Sequence, residues 1–254
     1  RRAREAATGA SGTDGERISL SEDGAPSGAA RLKEAAALGS RFWRGFGYKG
    51  PRGPKDGVPT LVIPGFIAND RTTMELRRAL AEGGFRVHPW RHGMNLGARP
   101  DTLEQLKRAV DLCGHDEPML LVGWSLGGLY ARELARAEPE RVRAVVTLGS
   151  PVWGDRRRYT NVWRLYEWVA GHPVDAPPIP DSVEKPPVPT LAIWSRRDGI
   201  VGAPSARGTD ESRDKAVEVS STHMGFAVSK RGTRAAVREI VRFLEEIGAS
   251  ESRD

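Results

Sequence analysis

Cysteine occurs once in the 254 residues, at Cys113. No intramolecular disulfide can form, and a metal centre built from several thiolates is excluded. Cys113 falls on an apolar helical position and reads as core rather than as a reactive thiol. Cys113, His115 and Asp116 lie close in sequence but match no zinc-ligand spacing. Hydrophobic residues make up only 39% and aromatics 7%, a deficit that a polar tail beside an ordinary core explains. No apolar run approaches the length of a transmembrane helix. A strong excess of one charge is missing too. The net charge is +6; residues 1–57 hold 11 Lys and Arg against 7 Asp and Glu, the remainder 28 against 26. The larger part is thus near neutral and gives no electrostatic footprint for nucleic acid. The start at Arg1 shows no apolar stretch of signal-peptide type. The expectation is a cytoplasmic protein whose natural start lies upstream of Arg1.

What is present begins with a tail. Residues 1–26 are rich in Gly, Ala, Ser and charge and predict disorder. Over residues 27–57 an amphipathic helix carrying Leu32, Leu38, Phe42, Trp43 and Phe46 precedes a Gly-Pro linker at 50–54. Its basic residues leave contact with a membrane surface as an alternative; packing of its apolar face on the domain is preferred. From Val58 onward, strand-length apolar runs alternate with helical stripes. Strands are expected at 58–63, 85–90, 119–122, 142–148, 191–194 and 216–219. Thr72 and Glu75 have the spacing of a capping box for the first helix. Continuous apolar strands between amphipathic helices predict a mostly parallel sheet of about six strands with helices on both faces. Sites in such sheets gather at the carboxyl ends of the strands.

The stretch that carries chemistry is Gly123-Trp124-Ser125-Leu126-Gly127. The apolar run 118–122 precedes it, and Leu126, Leu129, Tyr130 and Leu134 follow at helical spacing. Glycine-flanked serine between strand and helix is the pattern of a nucleophile elbow. A serine hydroxyl needs a base, and the base needs an orienting acid. Of His88, His92, His115, His172 and His223, only His223 directly follows the last strand. Asp198 follows the fifth strand and precedes that histidine; an ion pair with Arg196 or Arg197 is its alternative role, and Asp175 and Asp181 compete from a Pro-rich stretch. Leu126, after the serine, offers one N–H to a developing oxyanion, and Phe66, after Pro64-Gly65, offers a second.

With Pro64-Gly65-Phe66, Gly123 to Gly127, Gly149-Ser150-Pro151, Asp198-Gly199 and His223-Met224-Gly225-Phe226 in this order, the chain resembles the α/β-hydrolase superfamily, and within it small bacterial lipases and esterases. The resemblance covers residues 58–248. Many relatives carry His-Gly where this chain has Pro64-Gly65, and fuller members have two antiparallel strands before the first one found here. It implies a minimal α/β-hydrolase catalytic domain over 58–248, a cap inserted at 152–187 and a short C-terminal tail at 249–254. It further implies hydrolysis of carboxylic esters through an acyl-serine intermediate, without metal or organic cofactor. Acyl transfer, lactone or amide hydrolysis, and a non-catalytic binding scaffold are the alternatives. The expected partner is a small-molecule ester with an apolar acyl or aryl group. Trp163 and Tyr166 in the insertion, with Trp124 and Met224, are the candidate substrate-binding residues; anchoring of the insertion is the other role open to its aromatics.

Overall fold

The computed structural model describes residues 53–114 and 116–251. The expected tail over 1–26, most of the amphipathic helix and linker with Trp43, and His115 lie outside the described residues. Within them, strands β1 (Pro59–Ile63) and β3 (Met119–Trp124) are buried at every position. Such strands must be covered on both faces, which is why they read as unbroken apolar runs. Strands β2 (Arg86–Pro89), β4 (Val142–Leu148), β5 (Thr190–Trp194) and β6 (Lys215–Glu218) complete the sheet. All six run parallel, in the order β2-β1-β3-β4-β5-β6. No described helix is long and apolar enough to cross a membrane.

The helices are α1 (Met74–Glu82), α2 (Thr102–Asp111), α3 (Leu126–Ala137), α4 (Arg156–Tyr159), α5 (Trp163–Ala170), α6 (Ala203–Arg207), α7 (Gly225–Val228) and α8 (Lys230–Glu251). Alternation along each strand sends side chains to opposite faces. Val62, Leu120 and Val146 meet Leu76, Leu80, Ile240 and Phe243 of α1 and α8 on one face. Leu61, Ile63, Leu121 and Val145 meet Leu106, Val110, Ala131 and Leu134 of α2 and α3 on the other. Each fully buried aliphatic side chain contributes about 1.5–3 kcal/mol, so these two layers hold the domain. The capping box expected from Thr72 and Glu75 does not form. Asn69 Oδ1 accepts from the N–H groups of Arg71 and Thr72 and starts a turn earlier. Thr72 Oγ1 is drawn into that turn by the Asn69 N–H, and Thr73 caps α1 with no side-chain bond.

The chain order reverses between β1 and β3, which are hydrogen-bonded neighbours with Ile63 opposite Gly123. At such a switch point the loops leave in opposite directions and open a crevice beyond the carboxyl ends. The β4–β5 connection, with α4 and α5, folds beside that crevice. Its return is tied to α3 by Arg132, which is 1% exposed. The Arg132 guanidinium donates to the carbonyls of Ser212, Val183 and Glu184 at 2.7, 2.9 and 2.6 Å. Burial of so well-bonded a cation lowers its pKa to about 10.

Candidate active site

Ser125 forms the single-residue joint between β3 and α3. Its backbone sits at φ 54° and ψ −123°, a conformation that costs a residue with a Cβ on the order of 1–3 kcal/mol. Its neighbours hold it there. A Cβ on Gly123 would lie 2.3 Å from the Gly127 carbonyl oxygen, and one on Gly127 would lie 2.3 Å from that of Ile63. Only residues without side chains let α3 start so close to β1 and β3. The Ser125 N–H donates to the Leu148 carbonyl at 2.9 Å, continuing the sheet ladder into the joint. The side chain is half-buried and borders a cavity.

Pro64-Gly65-Phe66 leaves β1 against this joint. A Cβ on Gly65 would stand 3.0 Å from the Ser125 Cβ. Neither the Phe66 N–H nor the Leu126 N–H has an acceptor among the described residues. Leu126 is the first residue of α3, where N–H groups lack intrahelical partners and the helix dipole is positive. The next residue after Phe66, Ile67, has φ 52°. It is held by a 2.7 Å bond from its N–H to the Asn95 carbonyl, and the Asn95 N–H returns a bond to the Ala68 carbonyl at 2.8 Å.

Asp198 and His223 come together from the loops after β5 and β6. Asp198 Oδ2 accepts from His223 Nδ1 at 2.8 Å, with the two side chains almost fully buried. Asp198 Oδ1 accepts from the N–H groups of Ile200 and Val201, both at 2.8 Å. With one oxygen fixed by the backbone, the other is aimed at the histidine. The alternative ion pair does not form: Arg196 lies near Glu218 at 3.7 Å, and Arg197 donates to Ser220. Asp175 and Asp181 pair with Arg157 and Arg156 instead. The His223 carbonyl accepts from Trp124 Nε1 at 3.1 Å, and the two rings lie 5.5 Å apart. His223 is thereby packed on the residue that precedes Ser125. A ring held at Nδ1 by a carboxylate keeps Nε2 to take or give a proton.

Ser125, Leu126, Phe66, Trp163 and Tyr166 share the wall of one cavity. The Phe66 and Tyr166 rings are 5.1 Å apart. Tyr166 is fastened from outside: its hydroxyl accepts from the Ala98 N–H at 3.3 Å and lies 3.3 Å from His172 Nε2. Burial pushes the Tyr166 phenol up, against the bond from Ala98. The structure does not put Trp124 and Met224 in that wall. Both are buried in the core layer of α1 and α8, 3% and 6% exposed, because Trp124 is the last residue of β3 and points opposite to Ser125, while Met224 turns inward under α7. His88 lies in β2, and His92 stands edge-on to Trp90 at 5.1 Å. Among the described residues no three His, Cys, Asp or Glu side chains group as metal ligands.

Two residues of the site carry no sequence motif that assigns them. Asn95 donates from Nδ2 to the Pro64 carbonyl at 2.9 Å and accepts at Oδ1 from Gly97 and Tyr130. Its only signal is an isolated asparagine between Gly93 and Gly97. Gly149, with φ 56°, has no room for a Cβ: one would stand 2.8 Å from Asp198 Oδ2 and 3.3 Å from His223 Nδ1. The run Gly149-Ser150-Pro151 marks a turn but not its neighbours.

A family model described as the alpha/beta hydrolase fold matches residues 43–176. The pimeloyl-[acyl-carrier protein] methyl ester esterases of Salmonella heidelberg and Salmonella enteritidis are 42% identical to this chain over 72 residues. That match spans 28% of this chain and 28% of each relative. Among solved structures, an alpha/beta hydrolase enzyme from a sediment metagenome of the Mar Chica lagoon in Morocco is similar, with TM-score 0.52 and 20% identity over 79% of this chain and 94% of that one. Naproxen esterase from Bacillus subtilis has TM-score 0.52 and 14% identity over 85% and 96%. At such identities the likeness is one of fold.

Proposed function

The chain belongs to the alpha/beta hydrolase fold family, and on that premise we propose that it is a serine hydrolase that cleaves carboxylic esters through an acyl-serine intermediate. The observation that carries the reading is the strained Ser125 at the β3–α3 joint, with a His223–Asp198 pair of 2.8 Å packed on the adjacent Trp124. Ser125 Oγ attacks the ester carbonyl carbon while His223 Nε2 takes its proton. Asp198 holds the other ring nitrogen and stabilises the imidazolium. The oxyanion of the tetrahedral intermediate receives the N–H groups of Phe66 and Leu126, which face it without reorganisation. Collapse breaks the bond to the alcohol oxygen, which takes the proton from His223. Water, deprotonated by the same histidine, attacks the acyl carbon; the bond to Ser125 Oγ breaks, and that oxygen takes the proton back from His223 as the acid leaves.

The methyl ester esterases that match over 72 residues fit this reading. The cavity supports an ester with an apolar acyl or aryl group, since its wall near Ser125 consists of Phe66, Leu126, Leu129, Trp163 and Tyr166. Residues 152–187 then act as a cap over the acyl site. The test is hydrolysis of p-nitrophenyl esters by wild type and Ser125→Ala. The reading expects turnover by the wild type and a fall of about a thousandfold or more in the variant. Equal rates in the two proteins would reject Ser125 as the nucleophile.

A further inference from the structure

Two turns of α3 form one wall of the cavity that borders Ser125. Leu126, Leu129, Tyr130 and Glu133 line it, and spacing of i, i+3, i+4 and i+7 puts them on one face of the helix. At 1.5 Å of rise per residue, Glu133 stands about 12 Å along the helix from Ser125.

Charge in this cavity is confined to that end. Glu133, Arg156 and Asp181 are the charged side chains among the described residues of its wall, and they lie together. The Ser182 N–H donates to Glu133 Oε1 at 3.2 Å, which brings the adjoining Asp181 to Glu133. The Asp181 carboxylate accepts from both Nη groups of Arg156. The side chains of Glu133, Arg156 and Asp181 are 6%, 14% and 18% exposed. A hydrocarbon end pressed against such charges gains nothing and strips what solvent they keep. Between Ser125 and Glu133 the helix offers only Leu126, Leu129 and the Tyr130 ring, whose hydroxyl is spent on Asn95.

His223 decides which part of an ester enters. The leaving alcohol takes its proton from His223 Nε2, so the alcohol oxygen lies against that ring. His223 does not line the cavity; it packs on Trp124 in the layer of α1 and α8, whereas α3 covers the opposite face of the sheet. The alcohol is thus directed to His223 and the acyl chain to α3. Carbon keeps about 3.5–4 Å from the atoms it touches, which leaves roughly 8–9 Å before Glu133. An extended chain advances by about 1.25 Å per C–C bond, so this room ends near carbon eight.

We propose that this cavity measures the acyl chain: it takes an unbranched, methyl-ended chain of up to about eight carbons, and Glu133 with the Arg156–Asp181 pair sets the limit. The direction of the chain rests on the reading of Ser125 as the ester-reactive serine; the length limit of the cavity does not.

The experiment compares two series on wild type: p-nitrophenyl esters with acyl chains from acetyl to tetradecanoyl, and alkyl acetates whose alcohols cover the same lengths. In the acyl series kcat/KM rises about fourfold per added methylene as far as octanoyl and is at least about tenfold lower at dodecanoyl than at octanoyl. The acetate series has no such break. A rise that continues to dodecanoyl, an optimum at acetyl to butanoyl, or a break in the acetate series instead overturns the proposal.

Two variants move the limit. Glu133→Ala takes away the stop and raises the decanoyl-to-octanoyl ratio by about tenfold. Leu129→Trp sets a ring into the cavity about 6 Å along α3 from Ser125 and lowers the octanoyl-to-butanoyl ratio by about tenfold or more. Each is a ratio within one protein, so a general loss of activity does not move it. An unmoved ratio in a folded Glu133→Ala protein overturns the proposal; should that variant fail to fold, the wild-type break and Leu129→Trp decide.

Titration calorimetry on Ser125→Ala, with methyl butanoate to methyl dodecanoate and the monomethyl ester of the eight-carbon diacid, reads the cavity without turnover. Affinity peaks near methyl octanoate. The half-ester, whose carboxylate meets those of Glu133 and Asp181, binds about tenfold or more weaker; tightest binding of the half-ester overturns the proposal. A length optimum in binding with no ester turnover by wild type rejects the ester-hydrolase reading alone, and turnover without a length limit rejects the limit alone.

Discussion

The side-chain amide of Asn95 donates to the carbonyl of Pro64 at 2.9 Å across 31 residues of sequence. This bond ties the β2–α2 loop to the turn that carries the Phe66 N–H. Asn95 is 2% exposed, and each of its remaining polar groups is also engaged. It is a positioning residue for the proposed oxyanion site, acting through the backbone of residues 64–68.

Replacing Asn95 with Asp keeps the Oδ1 acceptor for Gly97 and Tyr130 and removes the donor to Pro64. The expected result is a kcat lowered by about tenfold or more, with KM within about threefold, because the loss falls on the transition state. A lowered melting temperature with kcat intact would make Asn95 a purely structural brace.

Ser125 sits at φ 54°, so its backbone stores strain that only glycine relieves. Ser125→Gly is expected to raise stability by about 1 kcal/mol, the strain released less the entropy lost by glycine on folding. Ser125→Ala keeps the Cβ and gives no such gain. Urea denaturation of the three proteins checks this, and equal midpoints for the Gly and Ala variants would place the strain elsewhere.

Trp163 and Tyr166 line the cavity, whereas Trp168, on the same helix, is 82% exposed. Burying one methylene of a substrate against an apolar wall is worth about 0.8 kcal/mol, and 1.4 kcal/mol is about tenfold. Truncating either ring takes away the wall for more than one such group. Trp163→Ala or Tyr166→Ala should therefore shift the preference between short and long p-nitrophenyl esters by about tenfold, read as kcat/KM, and Trp168→Ala should not. An unchanged profile in both cavity variants would make these aromatics anchors of the insertion.

Burial raises the Cys113 thiol to about 11, against the pull of Arg91 and Arg141. The unfolded chain releases that proton near pH 9, so between about pH 9 and 11 the folded state binds more protons and stability falls as pH rises. The melting temperature of wild type should drop more steeply over this range than that of Cys113→Ala. Alkylation by iodoacetamide near pH 8 should be slow. Rapid alkylation at that pH would mean an accessible, ordinary thiol.

Much of this molecule is local in origin. The strands 119–124 and 142–148 are unbroken apolar runs because a parallel sheet buries both faces, and helices α2, α3 and α8 carry one apolar stripe each. Those patterns need only neighbouring residues, so the sequence alone determined the six-strand architecture and the strand-to-helix joint at Ser125. Chain order also sufficed to nominate Asp198 and His223, since each follows a strand whose carboxyl end opens on the same edge. Where local choices compete, the sequence misleads: Asn69 displaces Thr72 and Glu75 from the start of α1.

Tertiary structure decided the rest, because the deciding interactions join residues far apart in the chain. Whether Asp198 met His223 or an arginine depended on the loop after β6 crossing Gly149, where a methyl group would not fit. Side-chain direction at the end of β3 placed Trp124 in the core and Ser125 at the cavity, though the two are adjacent. The charged end of that cavity joins α3 to the β4–β5 connection through Glu133, Arg156 and Asp181. No spacing rule relates these three, because only folding the connection back over α3 brings them to one wall.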